Sequence, residues 1–530
     1  MTLSVILVEC DVTSPAGAVS TLRFADRAVF PMAPTDTLRP NVRWDERLLE
    51  PPSLRRTLFD DLMTLEPGLG VGTMALANAD RALDAYQGHV WGEVRVWRWT
   101  YGSDFSTARS LLTGPAGGTP AFDTPKGRAA RVRLTLYDAR LELERPIQSE
   151  TYDGTNNGTS ILFEGAPSLK GRLKPLAYGN LMDAHVSAAP VNQELILGQL
   201  HDGTVRAAPQ GSGHMAQVFD RGGNGGFQGL GDVVGQPYFA ARFLNDNGDI
   251  APPYWLQRSS DSLIRLEGQA VGNVAFGFHG DATPAYTDAP GEIIARLLAR
   301  MVPVGRIGAS VAAAGGPSVG VFTDQAVSAR ELIAWVARSH ALAVLPDRQG
   351  IWQATAVRPV GASDHTLTTD DLIEFQPDDA APASVAEIEV GYDRIWTTYR
   401  REALQVELWD TPAETRLETE YRRAKTVDPT VKARFPSTWR PMRIDTALRY
   451  EADAVALAEI LRTLFGLKPD GRPRRQWRAT VPMTDARLDL ELGASIAVHA
   501  QEIGIDDTFL LIGEEPLRPR RDQVIWTLWG

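Results

Sequence analysis

Apolar and polar residues alternate with a period of two over most of this chain, the pattern of half-buried β-strands. Such runs open at 3–9 and 19–24, and they return at 131–147, 384–409, 479–498 and 508–530. The densest is HVWGEVRVWRW (89–99). Strict alternation there puts Trp91, Trp97 and Trp99 on one face and Val90, Val94 and Val96 on the other, so this strand should be covered on both sides. RVRLTLYDARLELERPI (131–147) predicts two strands about a bend at Asp138, and the last run predicts a C-terminal hairpin. A period near 3.6 is confined to a few places. A short helix is expected around Leu54 to Leu65. GEIIARLLARM (291–301) stacks Ile293, Ile294, Leu297 and Leu298 on one stripe. The helix after it opens on Ser328 and Glu331 as a capping box and buries Leu332, Ile333, Val336 and Ala337. A fourth helix spans 451–466 and ends at Gly466.

Turn residues divide these runs. HDGT (201–204) and NDNGDI (245–250) carry hairpin signals, Arg-Gln-Gly at 348–350 carries another, and SETYDGTNNGTS (149–160) marks a boundary. The fold class that follows is β-rich, multidomain and α+β. Four units are expected: a β-rich domain at 1–145 with one short helix; a β-rich domain at 146–285 with Gly-rich loops, separate from the first or continuing it; a small unit of two helices and a hairpin at 286–360; and a β-rich domain at 361–530 with one helix at 451–466.

The 530 residues are 43% hydrophobic, enough for real cores, and 47 Gly and 35 Pro suit many short strands. Cys10 is the single cysteine, so no internal disulfide forms, as befits a soluble chain folded in a reducing cytosol. No run is long and apolar enough to span a membrane. A formal charge of −12 argues against nucleic-acid binding by the chain as a whole. The basic stretches GRPRRQWR (471–478) and LRPRRD (517–522) are expected to be solvated hairpin tips.

Three oxygen-bearing side chains, Asn78, Asp80 and Asp84, lie close together in NADRALD (78–84). Asn78 and Asp80 match positions 1 and 3 of a calcium loop. Leu83 and His89 stand where that loop needs its turn residue and its bidentate Glu, so these side chains are expected to cap a turn instead. The eight histidines are too far apart for a local zinc motif. Gly316-Pro317-Ser318-Val319-Gly320 matches a nucleophile elbow but lacks the strand-to-helix setting that would raise the hydroxyl. Asp370, Asp371 and Glu374 fit the first turn of a short helix better than a glycosidase pair. RGGNGGFQGLGDVVGQP (221–237) lacks the Gly-Lys-Ser/Thr of a phosphate loop and is expected to be a surface or interface loop. No catalytic, cofactor or metal residue emerges. The bunched Trp91, Trp97 and Trp99 are candidate surface or interface aromatics, with core burial as the plainer reading.

Several segments together resemble one family. TLRFAD (21–26), GTMALANADRALDAY (72–86), LKGRLKPLAYGNLMDAHVSAAPVNQELILGQLHDGTV (169–205), the helix at 328–343, AEIEVGYDRIW (386–396) and ELGASIAV (491–498) are similar, in order, to the tail-tip or baseplate hub proteins of long-tailed bacteriophages and gene transfer agents. Arg81 stands where that family's pattern has Gly. The resemblance implies two β-barrel-like hub domains, the N-terminal one and the one at 361–530, plus smaller mixed α/β domains, and a homotrimer that adapts a hexameric distal tail ring to a threefold tip and forms or gates the DNA ejection channel. It also implies partners among tip or fibre proteins, genomic DNA passing during ejection, no enzymatic activity, and a place in the virion after assembly in the bacterial cytoplasm. The alternatives are a protein that itself binds a host receptor or surface saccharide and, third, a cell-wall hydrolase.

Overall fold

The computed structural model describes residues 3–123, 130–155, 164–192, 197–206, 216–224, 228–232, 254–267, 272–358, 361–378, 384–518 and 522–530. The hairpin expected at 245–250 lies outside them, as do parts of the Gly-rich 221–237 stretch. Two short strands, Gly223–Asn224 and Gln228–Asp232, occupy the described parts of that stretch.

The chain is β-rich and builds several sheets. The first has nine strands, in the order Asp45–Glu46, Val19–Ala25, Ser4–Thr13, Val90–Thr100, Arg109–Gly118, Arg131–Tyr137, Val71–Ala77 and Leu48–Leu54, with Ala121–Asp123 added on Arg131–Tyr137. Its inner face closes on one cluster that takes Ile6, Val8, Phe24, Leu54, Leu76, Trp91, Val96, Leu112 and Leu134, so strands from both halves of the sheet share a core. A second sheet of seven strands lies at the C-terminus. Its path runs His365–Thr368, Ser495–Ala500, Ile505–Arg518, Gln523–Trp529, Gln476–Pro482 and Glu374–Pro377. The seventh strand, Arg56–Thr57, comes from the N-terminal region and pairs with Gly513 and Glu514.

Two five-stranded sheets are built from residues 176–323, and no ladder among the described residues joins either to the nine-stranded sheet. A three-stranded sheet, Arg422–Val427, Val385–Tyr392 and Arg440–Asp445, completes the C-terminal half. Seven α-helices are described: α1 (Pro290–Ala299), α2 (Ala309–Ala313), α3 (Ala329–Arg338), α4 (Pro412–Glu418), α5 (Pro429–Arg434), α6 (Glu451–Phe465) and α7 (Asp485–Leu488). The α1 stripe Ile293, Ile294, Leu297 and Leu298 is fully buried, and Ser328 Oγ accepts from the Glu331 amide to start α3. The Leu342–Pro346 and Trp352–Ala356 hairpin follows, as the Arg-Gln-Gly turn predicts.

Five expectations need correction. The helix at 54–65 does not form. The period of Leu54, Leu58, Leu62 and Leu65 imitates one, but the Leu58 amide donates to the Ile512 carbonyl (2.8 Å), and ladder pairing with the distant strand wins over local preference. The second strand of 131–147 is a 3-10 helix, Ala139–Glu144. The Asp138 carboxylate accepts from the amides of Arg140 (2.9 Å) and Gly70 (3.0 Å), which turns the chain there. Strand character at 384–409 stops at Tyr392. Finally, α4, α5 and α7 join α6 in a region expected to hold one helix, and α2 adds a third helix to the 286–360 unit expected to hold two.

Candidate functional site

The Asn78 to Asp84 segment leaves the strand Val71–Ala77 and closes on itself. Asn78, 2% exposed, accepts from the Leu83 amide through Oδ1 (2.9 Å) and donates from Nδ2 to Asp84 Oδ1 (2.7 Å). Asp80 faces away from both. Its Oδ1 accepts from the Ala82 amide (3.2 Å), and both oxygens receive the Arg47 guanidinium, at 2.8 and 2.6 Å. That fork holds the Asp80 carboxyl well below the usual carboxylate range. Asn78 and Asp84 thus bond each other, while Asp80 takes Arg47. Among the described residues no group of three or more His, Cys, Asp or Glu side chains is arranged to hold a metal. Arg81 adopts the left-handed conformation (φ 63°, ψ 11°), the conformation that Gly takes most readily.

Arg47 is also the single residue between Asp45–Glu46 and Leu48–Leu54, the two edge strands of the nine-stranded sheet. One residue is thus the seam between the sheet's two edges, and the Arg47 to Asp80 fork ties it to the turn after Val71–Ala77. The seven-stranded sheet repeats the device. Its edges, His365–Thr368 and Glu374–Pro377, are joined by the 3-10 turn Thr369–Asp371. Thr368 and Asp371 form a capping box there, and Asp371 also receives the buried Arg487 guanidinium. In neither sheet does a ladder between described residues close the ring, so neither is a closed barrel.

The tryptophans do not form one exposed face. A β-bulge sets Cys10 and Val12 opposite Val94 and Trp91, so the chain gains a residue near Gly92 and Trp91 turns to the Val94 and Val96 side. There it is 1% exposed and stacks on Phe24 at 6.5 Å. Trp99 is 4% exposed and donates to the Ser103 carbonyl (3.2 Å). Trp97 packs on Phe105 (5.3 Å) and Trp44 (6.5 Å), beside buried Met32.

The GYDRIW segment (391–396) is a junction. Asp393 pairs with Arg416 (2.8 Å) and with the buried Arg449 (2.8 Å). Arg394 lies over the rings of Trp335, Trp396 and Tyr421, and the Trp396 indole donates to the Phe322 carbonyl (2.9 Å). These groups line a cleft of about 480 Å³ with Asp324, Gln325 and Arg338. Close by, His185 is buried between Tyr399 and Phe219, and burial together with Arg416 and Arg449 lowers its pKa to about 3. In the KPLAYGN segment, Gly179 has φ 72°, and a Cβ there would lie 2.1 Å from the Val319 carbonyl oxygen. Ser318 donates to Asp288 (2.7 Å) in a loop after α2, with Gly315 and Gly316 at positive φ, and no helix follows it as an elbow requires. The buried cluster of Arg56, Arg348 and Glu514, with Glu491 at its rim, was not anticipated. Arg348 meets Glu514 at 2.7 Å and Arg56 meets Glu491 at 2.9 Å, tying the N-terminal segment, the hairpin turn and the C-terminal sheet together. Charges so far apart in the chain give no local signal.

No protein-family model matches the chain, and no curated protein does either. Among solved structures, the chain is similar to phage tail proteins. The tail protein from Neisseria meningitidis MC58 aligns over 99% of this chain and 96% of its own, at 11% identity and a TM-score of 0.41. The 43 kDa tail protein of prophage MuSo2 from Shewanella oneidensis aligns over 99% and 98%, at 10% identity and a TM-score of 0.41. The prophage tail protein gp18 from Listeria monocytogenes EGD-e aligns over 99% and 94%, at 9% identity and a TM-score of 0.34.

Proposed function

We propose that this chain is a structural protein of a bacteriophage-type tail, the central hub of the tail tip or baseplate, and not an enzyme. One observation supports the reading: in each of two sheets, at opposite ends of the sequence, the two edge strands are joined by a short connection that carries an Asp to Arg pair. Two barrel-like units in one chain are what the resemblance to hub proteins implies, and three such chains would present six similar units to a hexameric ring. The motifs of the resemblance are spent on holding shape. Asn78 and Asp84 cap a turn, Gly179 admits a backbone crossing, and Asp393 gathers arginines.

In this reading the units divide at about the positions the turn residues suggest, 1–145, 146–285, 286–360 and 361–530. The trimer meets the distal tail ring on one side and tip or fibre proteins on the other. The acidic balance of the chain suits a lumen along which DNA slides without sticking. The test is decoration of tailed particles with antibody against the purified chain, combined with native mass measurement. Label at the tail end and a threefold mass support the proposal. Label on the head, or a monomer in particles taken apart gently, overturns it.

A second reading, attachment to a host-surface saccharide, is favoured by the Trp335, Trp396 and Tyr421 cleft, where aromatic faces stand beside polar side chains. Binding of envelope saccharide that is lost in Trp396→Ala would support it.

A further inference from the structure

We propose that the surface where α5, the 435–440 turn and the 468–475 turn meet binds the phosphodiester backbone of nucleic acid. In a chain of net charge −12, the stretch 429–478 carries eleven Lys and Arg against five Asp and Glu. The fold draws part of that excess into one place. Arg434, in the last turn of α5, donates to the Gly471 carbonyl, which sets the end of the helix against the 468–472 turn. Lys432 lies 4.5 Å over the ring of Trp439, and Arg434 lies 5.6 Å over Phe435. Arg474 donates to the Thr463 carbonyl (3.1 Å) at the C-terminal end of α6.

The pairing of these cations sets the surface apart. Lys432 has Glu387 (2.8 Å), and Arg472 shares Asp470 and Asp507. Arg434, Arg440, Arg474 and Arg475 have no ion pair among the described residues, and all but Arg474 are exposed. On the nine-stranded sheet, by contrast, Arg23 and Arg39 share Glu9, Arg95 takes Asp11, and Arg98 takes Asp485 and Asp522. Burial lowers the Arg474 pKa against the pull of Asp507 and Asp470, neither of which bonds it. Guanidinium forks match phosphate oxygens two at a time, and half-buried aromatic rings beside them are what nucleic-acid surfaces add to charge. An acidic protein partner is the competing occupant, and poly-glutamate stands for it in the test. The proposal does not depend on the tail reading.

The experiment is fluorescence anisotropy of the full chain with short labelled single-stranded and duplex DNA, between about 50 and 200 mM salt. Wild type should bind, and the fourfold rise in salt should weaken duplex binding ~100-fold if about four phosphates are neutralised. Arg475→Gln should lower the slope of log affinity on log salt by about 1, and Arg434→Glu with Arg475→Glu by about 2. Lys170→Glu, on an exposed cation elsewhere, should change nothing. Absence of binding at the lower salt overturns the proposal. So does an equal loss in Lys170→Glu, or capture of poly-glutamate without either DNA.

Discussion

Arg47 and Asp80 meet through two hydrogen bonds, of 2.8 and 2.6 Å, at the point where the first and last strands of the nine-stranded sheet follow one another in the chain. Arg47 also holds the neighbouring strand through its main chain, since its carbonyl accepts from the Ala77 amide at 2.7 Å. The fork thus links the turn after Val71–Ala77 to the edge beside it.

Removing either partner should loosen the seam without unfolding the chain. Arg47→Ala and Asp80→Asn should each lower the urea midpoint slightly, and together they should cost no more than Arg47→Ala alone. The Asp80 carboxyl is held below its ordinary value, so its contribution is present above the unfolded carboxylate range and fades as pH falls through the folded value. Additive losses would show that the two side chains act independently.

Arg81 offers the opposite change. A side chain in the left-handed region costs roughly 1 to 2 kcal/mol, part of which glycine gives back through a more flexible unfolded chain. Arg81→Gly should therefore stabilise the protein by up to about 1 kcal/mol, and Arg81→Val should destabilise it by more than that. Equilibrium unfolding in urea measures both.

Where local chemistry decides the structure, the residues announce it. The apolar stripes of α1 and α3, the Ser328 cap and the C-terminal hairpin follow from spacing alone. The turn at Asn78 follows from side chains that bond their own backbone. What is not legible is pairing between distant segments. Nothing near Arg56 says that its strand partner is Gly513 to Glu514, and so a helical period at 54–65 misleads. The seams depend on strand order, which the chain does not spell out locally. The bulge that turns Trp91 inward is one added residue within a clean alternation. The α4 and α5 starts did carry a signal, Thr411-Pro412 and Asp428-Pro429, a cap followed by Pro at the first helical position.

Trp91 should behave as core and not as contact surface. Trp91→Ala should cost about 3 to 5 kcal/mol in urea unfolding, and Trp91→Phe distinctly less, because the stack on Phe24 survives in part. A Trp91→Ala protein of unchanged stability that fails only in assembly would contradict this placement.

The Arg348 to Glu514 pair is nearly free of solvent, with side chains 4% and 3% exposed. Glu514→Ala leaves Arg348 and Arg56 facing a void and should cost about 3 to 5 kcal/mol, whereas Glu514→Leu with Arg348→Met should recover much of that loss. At the rim, burial pushes the Glu491 carboxyl up, but Arg56 and Arg348 overcome it and hold the group below its ordinary value. Its contribution is therefore present above the unfolded carboxylate pKa and fades as pH falls through the folded value.

His185 should make the chain sensitive to mild acid. It is 5% exposed, Tyr399 approaches its Nδ1 at 3.2 Å, and Arg416 and Arg449 oppose a positive charge on the ring. Its folded pKa of about 3 lies below the ordinary value of 6.5, so between these values the unfolded chain binds the extra proton and the folded chain does not. Stability should thus rise with pH across that window, by up to ~1.4 kcal/mol per pH unit, and level off above 6.5. His185→Gln keeps a polar side chain that does not titrate, and should reduce the slope of unfolding free energy on pH between about 4 and 6.5 by close to one proton. An unchanged slope would mean that other groups carry the acid sensitivity and that His185 is protonated within the fold.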